Sequence, residues 1–372
     1  MGKRVLITGG AGFIGSHLAD HLLSRGHQVR ALDNLSPQVH DSSFQRPSYL
    51  NDEVELVIGD VRDPDVLRRA LRGVDVVYHF AALVGVGQSM YEMARYTDVN
   101  NLGTAMLLEC ILERPVERLI VASSMSVYGE GLYRRRDGSV LAGHERSLEQ
   151  LRASDWELRD EAGEALEPLP TPESKATSLS SVYALSKYDQ ERMCMLVGRA
   201  YNIPTVAMRF FNTYGPRQAL SNPYTGVLAI FASRVLNNKR PLVNEDGFQK
   251  RDLVCVHDVA EACALALEVP EAAGKIFNVG SGQAYTIREV AARVAKAIDK
   301  PQLQPEITQK YRVGDIRHCF PDISLAREVL GYEPSYSLDR GLLDLAIWLD
   351  GKIAVDRVES ARAELDRRGL SL

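Results

Sequence analysis

Cysteine is sparse in this 372-residue chain, and its five copies (Cys110, Cys194, Cys255, Cys263 and Cys319) are scattered with no CxxC pair. A disulfide framework or a zinc ribbon needs clustered thiols, so neither is expected, no metal is expected, and a reducing, cytoplasmic location is. A basic block is also missing: the net charge is −5, which takes nucleic acid off the list of expected partners. No apolar run reaches bilayer length. The most apolar one, Val76 to Gly87, is too short to span and is broken by His79, so no membrane association is expected. Lys3-Arg4 leads directly into an apolar run, without the pattern of a signal peptide. No internal repeat is visible. What is present is ordinary for a globular protein, 45% hydrophobic and 25% charged residues, over a length that favours two intimately packed domains.

The strongest local pattern lies at the start. Val5-Leu6-Ile7-Thr8 is followed by Gly9, Gly12 and Gly15, and then by helical spacing of apolar residues from Ser16 to Leu23. This reads as strand, tight turn and helix, with Phe13 and Ile14 of the Gly-rich stretch expected on the cofactor. Such a turn holds a pyrophosphate on unpaired N–H groups at the positive end of the helix dipole, and glycine lets the backbone approach the phosphate oxygens. A second strand, Gln28–Leu32, ends in Asp33, about 20 residues past the glycines, where an acidic residue binds a ribose 2′-hydroxyl. Its charge repels a 2′-phosphate, so NAD is the expected cofactor rather than NADP.

Strands and helices then alternate. Val54–Ile58, Val74–His79 and Arg118–Ala122 read as strands, Asp65–Leu71 and about Tyr91–Leu112 as helices. This predicts an α/β fold, a Rossmann-type doubly wound parallel sheet with a smaller mixed α/β substrate lobe. Ligands of such sheets sit beyond the carboxyl ends of the strands, where Asp33, Asp60, His79–Ala82 and Ser124 all fall. Residues 130–178 break the pattern with charge and proline. They are expected to be loops with a short helix near Ser147–Leu158, either a substrate lid or a solvated excursion. Periodicity returns at Ser181–Tyr201, followed by a strand at Pro204–Arg209. Further strands are expected at Arg251–Val256 and Ile276–Val279, and helices at Val259–Leu267, Ile287–Ile298 and Leu338–Leu349. The expected division is an NAD-binding domain over 1–203 including the insertion, an interleaved substrate lobe over 204–350, and a helical tail over 351–372.

Tyr183 and Lys187 are the catalytic candidates. Spaced i, i+4, they share a helix face. A neighbouring ammonium and an oxidised nicotinamide favour the phenolate over a phenol whose isolated pKa is about 10. A phenolate can take the proton of a sugar hydroxyl while hydride leaves the same carbon, and Ser124 can hold that oxygen in line.

These motifs together resemble the extended short-chain dehydrogenase/reductase family, in its nucleotide-sugar epimerase and dehydratase branch. They are Thr8–Gly15, Gly59-Asp60-Val61-Arg62-Asp63, His79-Phe80-Ala81-Ala82, Asn100-Asn101-Leu102-Gly103-Thr104, Ser123–Gly129, Tyr183–Lys187 and Arg209-Phe210-Phe211-Asn212. The resemblance implies that Asp60 and Val61 flank the adenine, with Asn34, Phe80, Ala81 and Ala82 also on the cofactor side. It implies that Asn100 belongs to the cofactor site, and that Ser126, Asn212, Arg251 and Arg312 meet the substrate. Members that eliminate water carry Asp-Glu directly after the active-site hydroxyl residue. Met125-Ser126 stands there instead, and neither the Glu of decarboxylating relatives nor the Cys of 3,5-epimerases is present. A 4-epimerase with retained NAD, acting through a transient 4-keto sugar on a dTDP- or UDP-hexose, is what the resemblance leaves. Val84 stands where the UDP-galactose type commonly has Lys, and the Asp33–His40 loop and the long insert resemble bacterial dTDP-L-rhamnose 4-epimerases. A homodimer built from the helices at about 91–112 and 181–201 is implied as well. The alternatives are an NAD(P)-dependent 4-keto-sugar reductase and a non-catalytic NAD-sensing scaffold.

Overall fold

Five residues, Arg4–Thr8, form strand β1, buried from Val5 onward because both faces of the strand are covered by helices. The computed structural model that shows this describes residues 2–40, 45–219, 222, 226–312, 314–351, 356 and 358–371. Four more strands follow: β2 (Gln28–Asp33), β3 (Glu55–Ile58), β4 (Val76–His79) and β5 (Arg118–Ser124). Together with Thr205–Phe210 and Ile276–Val279 they make one seven-stranded sheet, in the order Ile276–Val279, Thr205–Phe210, β5, β4, β1, β2, β3. Every pairing in it is parallel. The chain builds outward from β1 in one direction through β2 and β3, then returns to β1's other side with β4. The reversal opens a crevice at the carboxyl ends of β1 and β4. Register brings the chemistry to that edge: Thr8 lies opposite both Leu32 and His79, and Ser124 opposite Phe210.

The expected helix over 91–112 is present in three joined parts, with a π-helical stretch at Thr97–Leu102 between Met93–Tyr96 and Gly103–Glu113. The second lobe packs the helices Val227–Leu236, Ile287–Ala297 and Leu338–Leu349 around Tyr214, Phe231, Val290 and Leu345. The single strand expected at Arg251–Val256 is instead interrupted at Asp252, between Lys250–Arg251 and Leu253–Cys255. Asp252 is fully buried and accepts hydrogen bonds from the Ser281 and Gln283 amides and the Ser281 hydroxyl, which turns the chain there.

The insertion differs from its expectation. Leu132–Arg134, Val140–Ala142 and Glu167–Leu169 form a three-stranded antiparallel sheet, and the short helix spans Leu148–Arg152. Its small core is Tyr133, Leu158 and Leu166. Buried charge joins it to the second lobe. Arg317, fully buried, bridges Glu157 at 2.5 Å, Asp246 at 2.7 Å and Glu245 at 2.8 Å, and Arg146 meets Glu245 at 2.8 Å. Among the described residues no helix is long and apolar enough to cross a membrane.

Candidate active site

The crevice at the sheet edge continues into the space between the lobes as a cavity of about 750 Å³. Its floor is the Gly-rich turn. Gly9 has φ +71°, and a Cβ there would lie 2.9 Å from the Ala81 nitrogen; a Cβ on Gly15 would lie 2.3 Å from the Gly9 carbonyl oxygen. Both glycines are thus demanded by the protein's own packing. At Gly12 the nearest atom to an added Cβ is the Gly9 oxygen at 3.2 Å. Gly12 precedes the helix Phe13–Ser24, whose first turn no side chain caps. The tight turn and a helix N-terminus without a side-chain cap coincide there, as a dinucleotide pyrophosphate requires. Gly12→Ala is therefore expected to lose less thermal stability than Gly15→Ala, whose Cβ would clash outright, while still losing most bound NAD. Absorbance of released nucleotide and a thermal melt check this; a Gly12→Ala protein that retains NAD contradicts it.

Asp33 closes β2 with its carboxylate fixed, accepting from the Ala11 amide at 3.1 Å and the Leu35 amide at 2.9 Å, with His40 Nε2 3.5 Å away. Both oxygens keep lone pairs for a ribose diol, so the residues present fit NAD. Asn34 donates to Asp60 at 3.1 Å. Hydrogen bonds from the Arg62 guanidinium hold the Asp60 carboxyl down at about 2. Val61, beside it, packs where Gly103 has no Cβ. Phe13, Ile14, Phe80, Ala81 and Ala82 complete this half of the wall.

Asn100 is not there. It is fully buried, accepts from the Leu83 amide at 2.7 Å, and donates to the Leu83 carbonyl at 3.1 Å and Ser186 Oγ at 2.9 Å. Its amide is occupied by these partners, holding Leu83 against the helix of Tyr183.

That helix, Val182–Ala200, starts at Ser181, whose side chain accepts from the Ala184 amide. It buries Tyr183, Lys187, Gln190, Glu191 and Cys194 along one stripe, so the i, i+4 pair faces the sheet edge. Tyr183 and Lys187 line the cavity beside Ser124 and Ser126. Burial pushes the Tyr183 phenol above its ordinary value, while a hydrogen bond with Ser124 works in the opposite direction. Ser126 Oγ donates to Ser124 Oγ at 2.9 Å. The Lys187 ammonium, pressed down to about 8 by burial, donates to Gln190 Oε1 at 2.7 Å, one turn further along the helix.

Gln190 was invisible as a site residue in the sequence, although it stands only three residues past Lys187. Its amide donates to Thr104 Oγ1 at 2.9 Å and reaches His79 Nε2 at 3.2 Å, and His79 Nδ1 lies 2.8 Å from Thr8 Oγ1. Burial, with a smaller effect of Lys187, lowers the His79 pKa to about 3, so the ring is neutral. A continuous buried polar chain thus runs from the Gly-rich turn to Lys187.

At the far end the cavity is lined by Asn212, Arg251 and Arg312. Asn212 donates to the Asp252 carbonyl at 3.0 Å. Arg251 is clamped by the carbonyls of Lys250, Ile316 and Arg317, and Arg312 by Asp315 at 2.6 Å. Nothing from the insertion at 130–178 lines the cavity, but Val358, Ala361, Arg362 and Leu365 of the tail do.

Comparison with known proteins agrees with this geometry. The model of the NAD dependent epimerase/dehydratase family matches residues 5–149 and 161–280. A dTDP-L-rhamnose 4-epimerase of Burkholderia thailandensis is 36% identical over 358 residues, covering 94% of this chain and 95% of that protein. Among solved structures, a UDP-glucose 4-epimerase of Thermotoga maritima with UDP-glucose superposes with a TM-score of 0.75 at 30% identity, covering 93% of this chain and 98% of that one. The UDP-glucose 4-epimerase of Thermus thermophilus in complex with NAD has a TM-score of 0.72 at 31% identity, covering 94% of this chain and 99% of that one.

Proposed function

We propose that this chain, which belongs to the NAD dependent epimerase/dehydratase family, is a nucleotide-sugar 4-epimerase that retains its NAD and acts on a dTDP-linked 6-deoxyhexose. One observation carries the reading: Tyr183 lines the same cavity as Ser124, Lys187, the Gly9–Gly15 turn and Asp33. Met125 and Ser126, next to Ser124, offer no carboxylate or thiol for elimination at C5 and C6 or for deprotonating carbon. The dTDP-sugar assignment is supported by the Burkholderia relative and by Val84, Val86 and Met125, apolar side chains on the cavity wall that suit a C6 methyl group.

Bound nicotinamide supplies a reversible hydride acceptor at C4. Tyr183 takes the proton of the 4-hydroxyl, and Ser124 holds that oxygen by a hydrogen bond that persists as it becomes a carbonyl. Arg251 and Arg312 hold the diphosphate with Asn212 beside them, since guanidinium forks match phosphate oxygens. The flat 4-keto sugar turns over within the cavity while that anchor stays fixed. Tyr183 then returns its proton to the oxygen of the opposite epimer. Exposed Met93, Leu102, Leu185 and Leu196 on the two helices near 91–112 and 181–201 support a homodimer through them. Light scattering at the dimer mass is expected, and a monomer contradicts it. The five buried free thiols suit a reducing cytoplasm.

The test is a panel of dTDP- and UDP-sugars offered without added cofactor and followed by NMR. dTDP-L-rhamnose and its 4-epimer are expected to interconvert. A strict need for stoichiometric NAD(P)H makes the protein a reductase, and turnover of UDP-sugars alone overturns the dTDP assignment.

A further inference from the structure

The tail takes part in neither the cofactor turn nor the catalytic pair, yet it forms one wall of the cavity. In the helix Val358–Arg367, Val358, Ala361 and Leu365 are buried at i, i+3 and i+7, and line the cavity together with Arg362. The tail holds both lobes. On the cofactor side Leu365 packs where Gly87 has no Cβ, and the Arg368 guanidinium lies 4.3 Å from the Tyr91 ring centroid. On the other side Lys239 lies 3.1 Å from Asp356 and 3.3 Å from Glu359. Ser371 pairs by backbone with Arg312 itself.

Arg362 is the unusual member of this wall. Its Nη2 donates to Asn244 Oδ1 at 3.2 Å and to Thr308 Oγ1 at 3.3 Å, both neutral and both long. Glu245, a carboxylate on the same wall, is already shared by Arg146 and Arg317, and Asp315 is taken by Arg312. Burial depresses the Arg362 guanidinium, Asp366 and Glu306 oppose that, and Arg234 and Arg312 add to it. Arg362, which makes no ion pair within 4 Å among the described residues, and Arg312, whose partner is Asp315, line the same cavity and make a place for an anion.

We propose that the C-terminal helix is a wall of the nucleotide-sugar site and that Arg362, with Arg312, binds the diphosphate of the substrate. The inference rests on the nucleotide-sugar reading above and adds a residue of this chain's tail to it. The probes are dTDP and UDP, titrated calorimetrically into NAD-loaded protein, with turnover measured in parallel. Arg362→Gln is expected to weaken diphosphate binding and raise KM by about tenfold or more, leaving kcat within about twofold and bound NAD unchanged. Arg362→Lys, which keeps the charge, recovers most of the loss. Arg367→Gln, on the exposed side of the same helix, matches wild type. Wild-type affinity in Arg362→Gln overturns the inference, as does a lysine variant no better than the glutamine one, or loss of NAD or of thermal stability in Arg362→Gln. Should the wild-type protein bind neither dTDP nor UDP, the nucleotide-sugar reading falls and the inference with it.

Discussion

Tyr183→Phe is expected to lower kcat by about a thousandfold or more, the scale of a lost general acid–base group, while NAD stays bound. The change removes one oxygen. The ring keeps its edge-on contact with Tyr96, 6.5 Å between centroids, and the Tyr183 amide still donates to Ser89 Oγ. The cofactor's expected contacts, the Gly-rich turn and Asp33, lie on β1, α1 (Phe13–Ser24) and β2 and are untouched. Ser124 remains, but a serine hydroxyl ionises too reluctantly to replace the phenol. Steady-state kinetics and the nucleotide released on denaturation give both readings. Turnover within about tenfold of wild type means that the base is elsewhere.

The largest expected loss of stability lies one turn beyond Lys187. Glu191 is fully buried; its two oxygens accept Arg209 Nη2 at 2.7 Å and Nε at 2.9 Å, and Oε2 also accepts from Ser123 at 2.7 Å. Arg209 in turn lies over the Tyr128 ring, 4.8 Å from its centroid. Glu191→Ala strands a guanidinium and a serine hydroxyl in the middle of the sheet, at about 3–5 kcal/mol. The melting temperature is expected to fall by several degrees. Glu191→Leu combined with Arg209→Met, which removes both charges, is expected to be milder. A thermal melt of both proteins decides; an unchanged Glu191→Ala midpoint contradicts the role given to the pair.

The parts legible in the sequence are those whose cause is local. Gly9, Gly12, Gly15 and Asp33 are fixed by one turn and one strand length, and Leu338–Leu349 and Ile276–Val279 by their apolar spacing. Asp60 and Ser124 could be placed together because parallel strands bring their carboxyl ends to one edge, and Tyr183 by its i, i+4 spacing to Lys187 on one helix. What was illegible depends on distant partners. The insertion's three-residue strands are too short for a period of two to show, and their sheet is held by Arg317, more than 140 residues on in the chain. Asp252 breaks a strand because of Ser281 and Gln283. Gln190 as the partner of Lys187 was not readable, since its amide is placed by His79 and Thr104 from the sheet and a neighbouring helix. The partners of Asn100, Leu83 and Ser186, are likewise set by the π-helical stretch and the helix of Tyr183 rather than by local sequence. The tail's apolar i, i+3, i+7 spacing was readable as a helix, but not its place on the cavity.

The central claim is that Tyr183 and Ser124 serve a reversible oxidation at C4 within this cavity. Incubating the purified protein, without added cofactor, with dTDP-L-rhamnose carrying deuterium at C4 tests it most directly. The account predicts that both 4-epimers form and keep the deuterium on C4, with none lost to water. Wash-out of the label into solvent, or no epimer until NAD(P)H is supplied, contradicts it.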